Sequence, residues 1–177
     1  REEAHPTPDS HAAGYPSPGK PAPGRPAPCR TEHLTLIGGE EPESWPHLVR
    51  DAIRSGLAPD LAERLLRRYG SELGRLLALI RDDSSLAEPV GPGLPFIGAE
   101  VVFACYTTMP TGLEDMLLRR LRLAVVDARA GRAAADAVAK LMARALEWPA
   151  GKQAEELERY RAMTAGTGDY ACHSMAR

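Results

Sequence analysis

From Ser44 to about residue 165, apolar positions recur at intervals of three and four, the spacing that lines up side chains on one face of an α-helix. Ser44-Trp-Pro-His opens the first such segment, with Pro46 in the first turn and Gly56 closing it. Pro59 starts a second, carrying Leu61, Leu65, Leu66 and Tyr69 on one side and ending at Gly70. Ser71 is placed to cap a third, whose Leu73, Leu76, Leu77 and Ile80 form a single stripe. Residues 81–95 read as a loop, rich in Asp, Ser, Pro and Gly. Ile97–Thr107 is apolar nearly all round and is the natural centre of a bundle. A helix is expected from Leu113 to about Arg129, with Gly131 separating it from an Ala-rich helix over about Arg132–Trp148. A last, polar helix covers about Lys152–Ala165. The pattern predicts an all-α fold, a multi-helix orthogonal bundle of about six to seven helices joined by short connections.

The start of the chain breaks this pattern. Eight of the sixteen prolines fall within residues 1–28, interleaved with glycine, and Val, Leu and Ile are absent there. Such a segment cannot bury enough apolar surface to offset the entropy of ordering, so 1–28 is expected to be a disordered Pro/Gly-rich linker. Residues 29–43 read as an extended connector, in which Leu34 and Leu36 alternate with His33 and Thr35 ahead of Gly38-Gly39. That alternation suggests a short strand with no partner elsewhere in the chain. The helical domain then spans 44–165, and 166–177 is a tail expected to fray. The first residue is Arg rather than Met, which fits a processed chain or a fragment.

Composition narrows the classes of function. With 177 residues, 44% hydrophobic, and a formal net charge of −2, the chain suits one globular domain and carries no strongly basic arm for nucleic acid. No apolar run approaches the ~20 residues that span a bilayer. Three scattered cysteines, Cys29, Cys105 and Cys172, point to a reducing, cytoplasmic setting rather than a disulfide scaffold. Gly38-Gly39 and Gly91-Pro-Gly93 lack the spacing of a dinucleotide loop, and His33, His47 and His173 lie too far apart in sequence to suggest a metal cluster. The expectation is therefore no catalytic, cofactor-binding or metal-ligating residue in this chain alone. A helical nucleic-acid reading of Leu57–Leu77 would use Arg64, Arg67, Arg68 and Arg75 on phosphates. Its turn lacks the needed glycines, and the ordinary reading is a solvated helix face.

One pair of charges breaks the apolar surfaces. On a wheel of 100° per residue, Arg120 lies among Leu113, Met116, Leu117 and Leu123, while Arg119 and Arg122 point outward. A guanidinium on a buried face must be paired. Glu100 is the sole charge in the preceding apolar helix, so a structural Glu100–Arg120 ion pair is the expectation, with Asp127 as a second possible acceptor.

At these same residues the chain resembles the C-terminal helical domain of FAD-dependent glycerol-3-phosphate dehydrogenases and alpha-glycerophosphate oxidases. Ala99-Glu-Val-Val-Phe-Ala104, Met109, and Leu113-Glu-Asp-Met-Leu-Leu-Arg-Arg-Leu-Arg-Leu123 are similar to that family's "AEVVYAV" and "TLEDVLARRTRL" helices. Tyr69-Gly-Ser-Glu72, Leu76-Leu-Ala-Leu-Ile80, the Pro92-Gly-Leu-Pro95 loop and Cys29-Arg-Thr-Glu-His-Leu-Thr-Leu-Ile-Gly38 extend the likeness over roughly residues 29–164. Gly112 stands where the family usually has Thr, Leu121 replaces the Thr of its Arg-Arg-Thr-Arg run, and Pro110-Thr111 replaces Ala-Arg.

The resemblance implies a parent enzyme that oxidises glycerol 3-phosphate to dihydroxyacetone phosphate with FAD. Its flavin and substrate groups lie in an N-terminal portion that these motifs do not include. It further implies a structural, docking role for this domain as a detached or truncated cap. Its partner would be a flavin-containing dehydrogenase domain or a second copy of itself, in a cytoplasmic setting that allows peripheral membrane association. A free-standing helical protein–protein interaction module is the alternative.

Overall fold

A computed structural model describes residues 29–165, so the expectations for 1–28 and for the tail after residue 165 lie outside the described residues. The described residues fall into two units, 29–34 and 35–165. The first is short and holds a 3-10 turn, Thr31–His33. The second contains seven α-helices among the described residues: α1 (Trp45–Arg54), α2 (Pro59–Tyr69), α3 (Leu73–Asp82), α4 (Gly98–Thr108), α5 (Leu123–Val126), α6 (Ala128–Ala145) and α7 (Lys152–Ala165). No β-strand occurs among them, and the fold is all-α as expected.

The strand suggested around Leu34 and Leu36 does not form. A lone strand has no ladder to satisfy its backbone groups, so residues 31–38 take local turns instead. Leu34, Leu36 and Ile37 are left 62%, 81% and 76% exposed. Gly38 then crosses Gly70 closely enough that a Cβ on Gly70 would run into the Gly38 carbonyl oxygen. Both glycines have positive φ, 89° and 55°, and the crossing is closed by the Ser71 N–H donating to the Gly38 carbonyl at 2.9 Å. Ser71 does not cap α3. Its hydroxyl donates to Glu40 at 2.8 Å, and a 3-10 turn, Gly70–Glu72, leads into the helix.

Two apolar clusters share α4. Leu57, Leu65, Leu73, Leu76 and Ile80 pack on its Ile97, Val102 and Phe103 side. Val101, Ala104 and Cys105 face Leu113, Met116, Leu117, Val138, Met142 and Tyr160. Every residue from Gly98 to Cys105 is buried, as an all-round apolar helix requires. The loop before α4 contains a 3-10 turn, Ser84–Ala87, whose N-cap Asp83 accepts from the Ser85 N–H. It closes through an isolated bridge between Pro89 and Ile97.

The long helix expected over Leu113–Arg129 is broken. Asp115–Arg120 is a π-helix, with the Leu121 N–H donating to Met116 at i−5, and Arg122 takes a left-handed φ of 58° that ends it. The four-residue α5 follows. Asp127, not Gly131, marks the next boundary: its carboxylate accepts from the Arg129 N–H at 2.8 Å and caps α6. Gly131 lies inside α6 because its missing Cβ admits two neighbours. A Cβ there would stand 2.5 Å from the Ala124 Cβ and 2.7 Å from the Tyr160 hydroxyl.

A Gly→Ala change inside a helix ordinarily stabilises by about 0.5–1 kcal/mol. Gly131→Ala is expected to do the opposite, destabilising by about 1–3 kcal/mol through overpacking. Urea unfolding of the two proteins reads the sign directly, and a stabilised variant would contradict this packing.

Candidate functional site

Glu100 is a fully buried carboxylate at the start of α4, and four donors converge on it. Arg64 of α2 donates from Nη1 and Nη2 at 3.2 and 2.7 Å, a bidentate pair. The Tyr69 hydroxyl donates at 3.1 Å, and the Ile97 N–H at the N-cap of α4 donates at 3.0 Å. Glu at the third helical position reaching back to the cap is half of a capping box. Arg68 Nε stands 3.7 Å away, and its Nη2 donates to the Arg120 carbonyl at 2.8 Å. Both guanidiniums lie over the Phe96 ring, at 5.4 Å for Arg64 and 5.3 Å for Arg68. Burial, then the nearby Glu100 charge, pushes the Tyr69 phenol well above its ordinary value, with Arg68 opposing.

Two further carboxylates hold the π-helical stretch. Asp115, 6% exposed, accepts from Arg120 Nη2 at 3.1 Å and from the Thr111 N–H at 3.2 Å. Burial works against its charge. The Thr111 bond and the Arg120 and Arg119 guanidiniums outweigh that and hold its carboxyl below the usual 3.8. Glu156, reaching across from α7, accepts the Leu113 N–H at 2.9 Å and so caps the start of this stretch. Arg159 Nη2 donates to it at 2.7 Å, and Lys152 Nζ lies 3.0 Å from its other oxygen. These partners outweigh burial and hold Glu156 below the usual 4.5. Gly112 is part of this arrangement, since a Cβ there would run into Glu156 Oε2.

The expected Glu100–Arg120 pair is therefore replaced by two others, Glu100–Arg64 and Asp115–Arg120. The wheel that placed Arg120 assumed an α-helix. In a π-helix residues five apart stack, which brings Asp115 over Arg120. Asp127 is spent on the α6 cap. Arg64 and Arg68, four residues apart on one flank of α2, turn toward Glu100 rather than toward solvent, and the spacing alone does not distinguish the two without the crossing of α2 over the start of α4. Arg67 and Arg75 do pair locally, with Glu63 and Glu72. Cys105 is buried, which pushes its thiol up to about 11, and Cys29 is exposed. Cys172 and His173 lie outside the described residues. Among the described residues, no group of three or more His, Cys, Asp or Glu is placed to hold a metal ion.

Residues 29–153 match the family model of the C-terminal domain of alpha-glycerophosphate oxidase. The chain belongs to this family. Glycerol-3-phosphate dehydrogenase 2 of Mycobacterium tuberculosis is 32% identical over 136 residues, which covers 75% of this chain and 23% of that protein. The mitochondrial glycerol-3-phosphate dehydrogenase of Bos taurus is 33% identical over 138 residues, 75% of this chain and 18% of that enzyme. The chain thus spans about a fifth of the length of the curated relatives it matches. No solved structure matches it.

Neither glycine cluster of this alpha-glycerophosphate oxidase-type domain is shaped to hold a flavin's phosphate. The Gly38 N–H that a phosphate would need donates instead to the Glu40 carboxylate at 2.8 Å, and the Gly38 carbonyl is packed on Gly70. Gly91 gives no cradle either, because the Leu94 side chain already fills the space beside it. No helix among the described residues is long and apolar enough to cross a membrane.

Asp115 and Glu156 both have lowered native values, so the unfolded chain takes up their protons first as the pH falls. The stability they add is complete above about pH 5 and is lost as the pH drops through their depressed native range. Glu156→Gln is expected to cost about 1–3 kcal/mol at pH 7 and to flatten the fall in stability between pH 5 and 3. Urea midpoints across that range test it, and an unchanged acid slope would contradict the assignment.

Proposed function

We propose that this chain acts as the helical docking domain of an FAD-dependent glycerol-3-phosphate dehydrogenase, packing on the flavin-containing portion that oxidises glycerol 3-phosphate to dihydroxyacetone phosphate. The flavin portion is carried on the same polypeptide or on a separate one. The role is structural: the domain presents a preformed surface and contributes no cofactor-binding group.

The observation that carries this reading is the uncovered end of α4. The helix is buried from Gly98 to Cys105, yet Tyr106 is 60% exposed and Met109, in a left-handed backbone with φ 44°, is 80% exposed. Fully burying one such side chain contributes about 1.5–3 kcal/mol. Leu36 and Ile37 are likewise left in water. The family match supports the identity of the partner, because the relatives are glycerol-3-phosphate dehydrogenases several times longer than this chain. The Glu100, Asp115 and Glu156 clusters support the structural role, since each carboxylate is spent on guanidiniums and helix ends.

The test mixes the chain with a glycerol-3-phosphate dehydrogenase lacking its own C-terminal domain and follows association by calorimetry. Association is expected, and Met109→Asp is expected to weaken it at least tenfold while leaving the urea midpoint of the isolated chain unchanged. No association would contradict the reading. A stable homodimer that excludes the flavin portion would favour self-pairing instead.

A further inference from the structure

The break at Arg122 opens a cleft of about 550 Å³ between the Leu94–Phe96 loop and the start of α6. Its walls are apolar, formed by Leu94, Phe96, Leu121, Leu123 and Ala130. Leu121 and Leu123 are 2% and 5% exposed, so they give a fixed floor, and the Arg64 and Arg68 guanidiniums lie over the Phe96 ring. That size and lining suit a small organic ligand.

The charged groups around the cleft are Arg68, Arg122 and Asp127. Asp127 is engaged in capping α6, and Arg68 uses its Nε and Nη2 on Tyr69 and the Arg120 carbonyl. Arg122 is exposed, and its side chain forms no hydrogen bond or ion pair among the described residues. Two guanidiniums against one carboxylate leave one positive charge at the mouth of an apolar cleft.

The backbone gives a second, independent pointer. Arg122 holds φ at 58°, a conformation that suits glycine and strains an arginine. A glycine would serve the turn at less strain, so the fold alone does not account for the long cationic side chain. We propose that this cleft is a binding site for a small amphipathic monoanion, an organic carboxylate with an apolar body, whose tail lies against Phe96 and whose carboxylate pairs with Arg122. The proposal does not depend on the docking role proposed for the end of α4.

Octanoate is the probe, titrated into the full chain by heteronuclear NMR, with 1-octanol as the uncharged control. Saturable octanoate binding is expected, with contacts to the Phe96 ring and Ala130, and binding at least tenfold tighter than that of 1-octanol. Arg122→Gly is expected to weaken octanoate binding at least tenfold while raising Tm by about 2–4 °C through relief of the strained backbone. Arg122→Lys is expected to retain binding within about threefold, since it keeps the charge. No octanoate binding by the wild-type chain, contacts away from Phe96, or equal binding by wild type and Arg122→Gly would each overturn the proposal. Equal affinity for 1-octanol would do so as well.

Discussion

A carboxylate with no exposure to water must be neutralised where it stands, and Glu100 is such a group at the centre of this fold. It sits where α4 enters the core, and α4 is the helix both apolar clusters use. Glu100 therefore does two jobs with one charge. It closes the first turn of α4 through the Ile97 N–H, and it fixes α2 against that turn through the Arg64 fork and the Tyr69 hydroxyl. Arg68 extends the same tie to the end of the π-helical stretch through the Arg120 carbonyl. Phe96, lying beneath both guanidiniums, closes the arrangement from the loop side.

The second constraint is the π-helical stretch. Its extra residue per hydrogen-bonded turn brings Asp115 over Arg120, and the chain pays for the wider turn with strain at Arg122. Glu156 caps the stretch from α7, and that cap needs the bare backbone of Gly112. Residue 112 has no hydroxyl to cap with, and a carboxylate from a distant helix does so instead. The bare glycine and this cap belong together, because a side chain at 112 would occupy the position of the Glu156 oxygen.

Much of this was legible in the sequence, and the exceptions have a common cause. Uninterrupted three- and four-residue spacing gave α1, α2, α3, α4 and α7 to within a residue or two, and the all-round apolar character of Gly98–Cys105 marked the central helix. The family was readable from the Ala99–Ala104 and Leu113–Leu123 runs. What failed were inferences that needed a partner outside the local segment. Gly131 read as a break because a glycine in a helix costs stability locally, and its reason lies in Ala124 and Tyr160. Arg120 was misplaced because periodicity assumes one helix type, and no residue of Asp115–Arg120 announces a π turn. Arg64 was readable only once α2 was known to cross the start of α4. Leu34 and Leu36 alternate like a strand, yet alternation does not supply a neighbour to pair with.

The Glu100–Arg64 pair, rather than general apolar packing, locks α2 to α4. A double-mutant cycle of Glu100→Gln and Arg64→Met, read by urea unfolding at pH 7, measures this most directly. Each single change is expected to cost several kcal/mol, near the roughly 3–5 kcal/mol typical of breaking a buried pair, and the double variant to recover about 1.5–3 kcal/mol of the summed loss. Additive costs within about 0.5 kcal/mol would show the two residues acting independently and would contradict it.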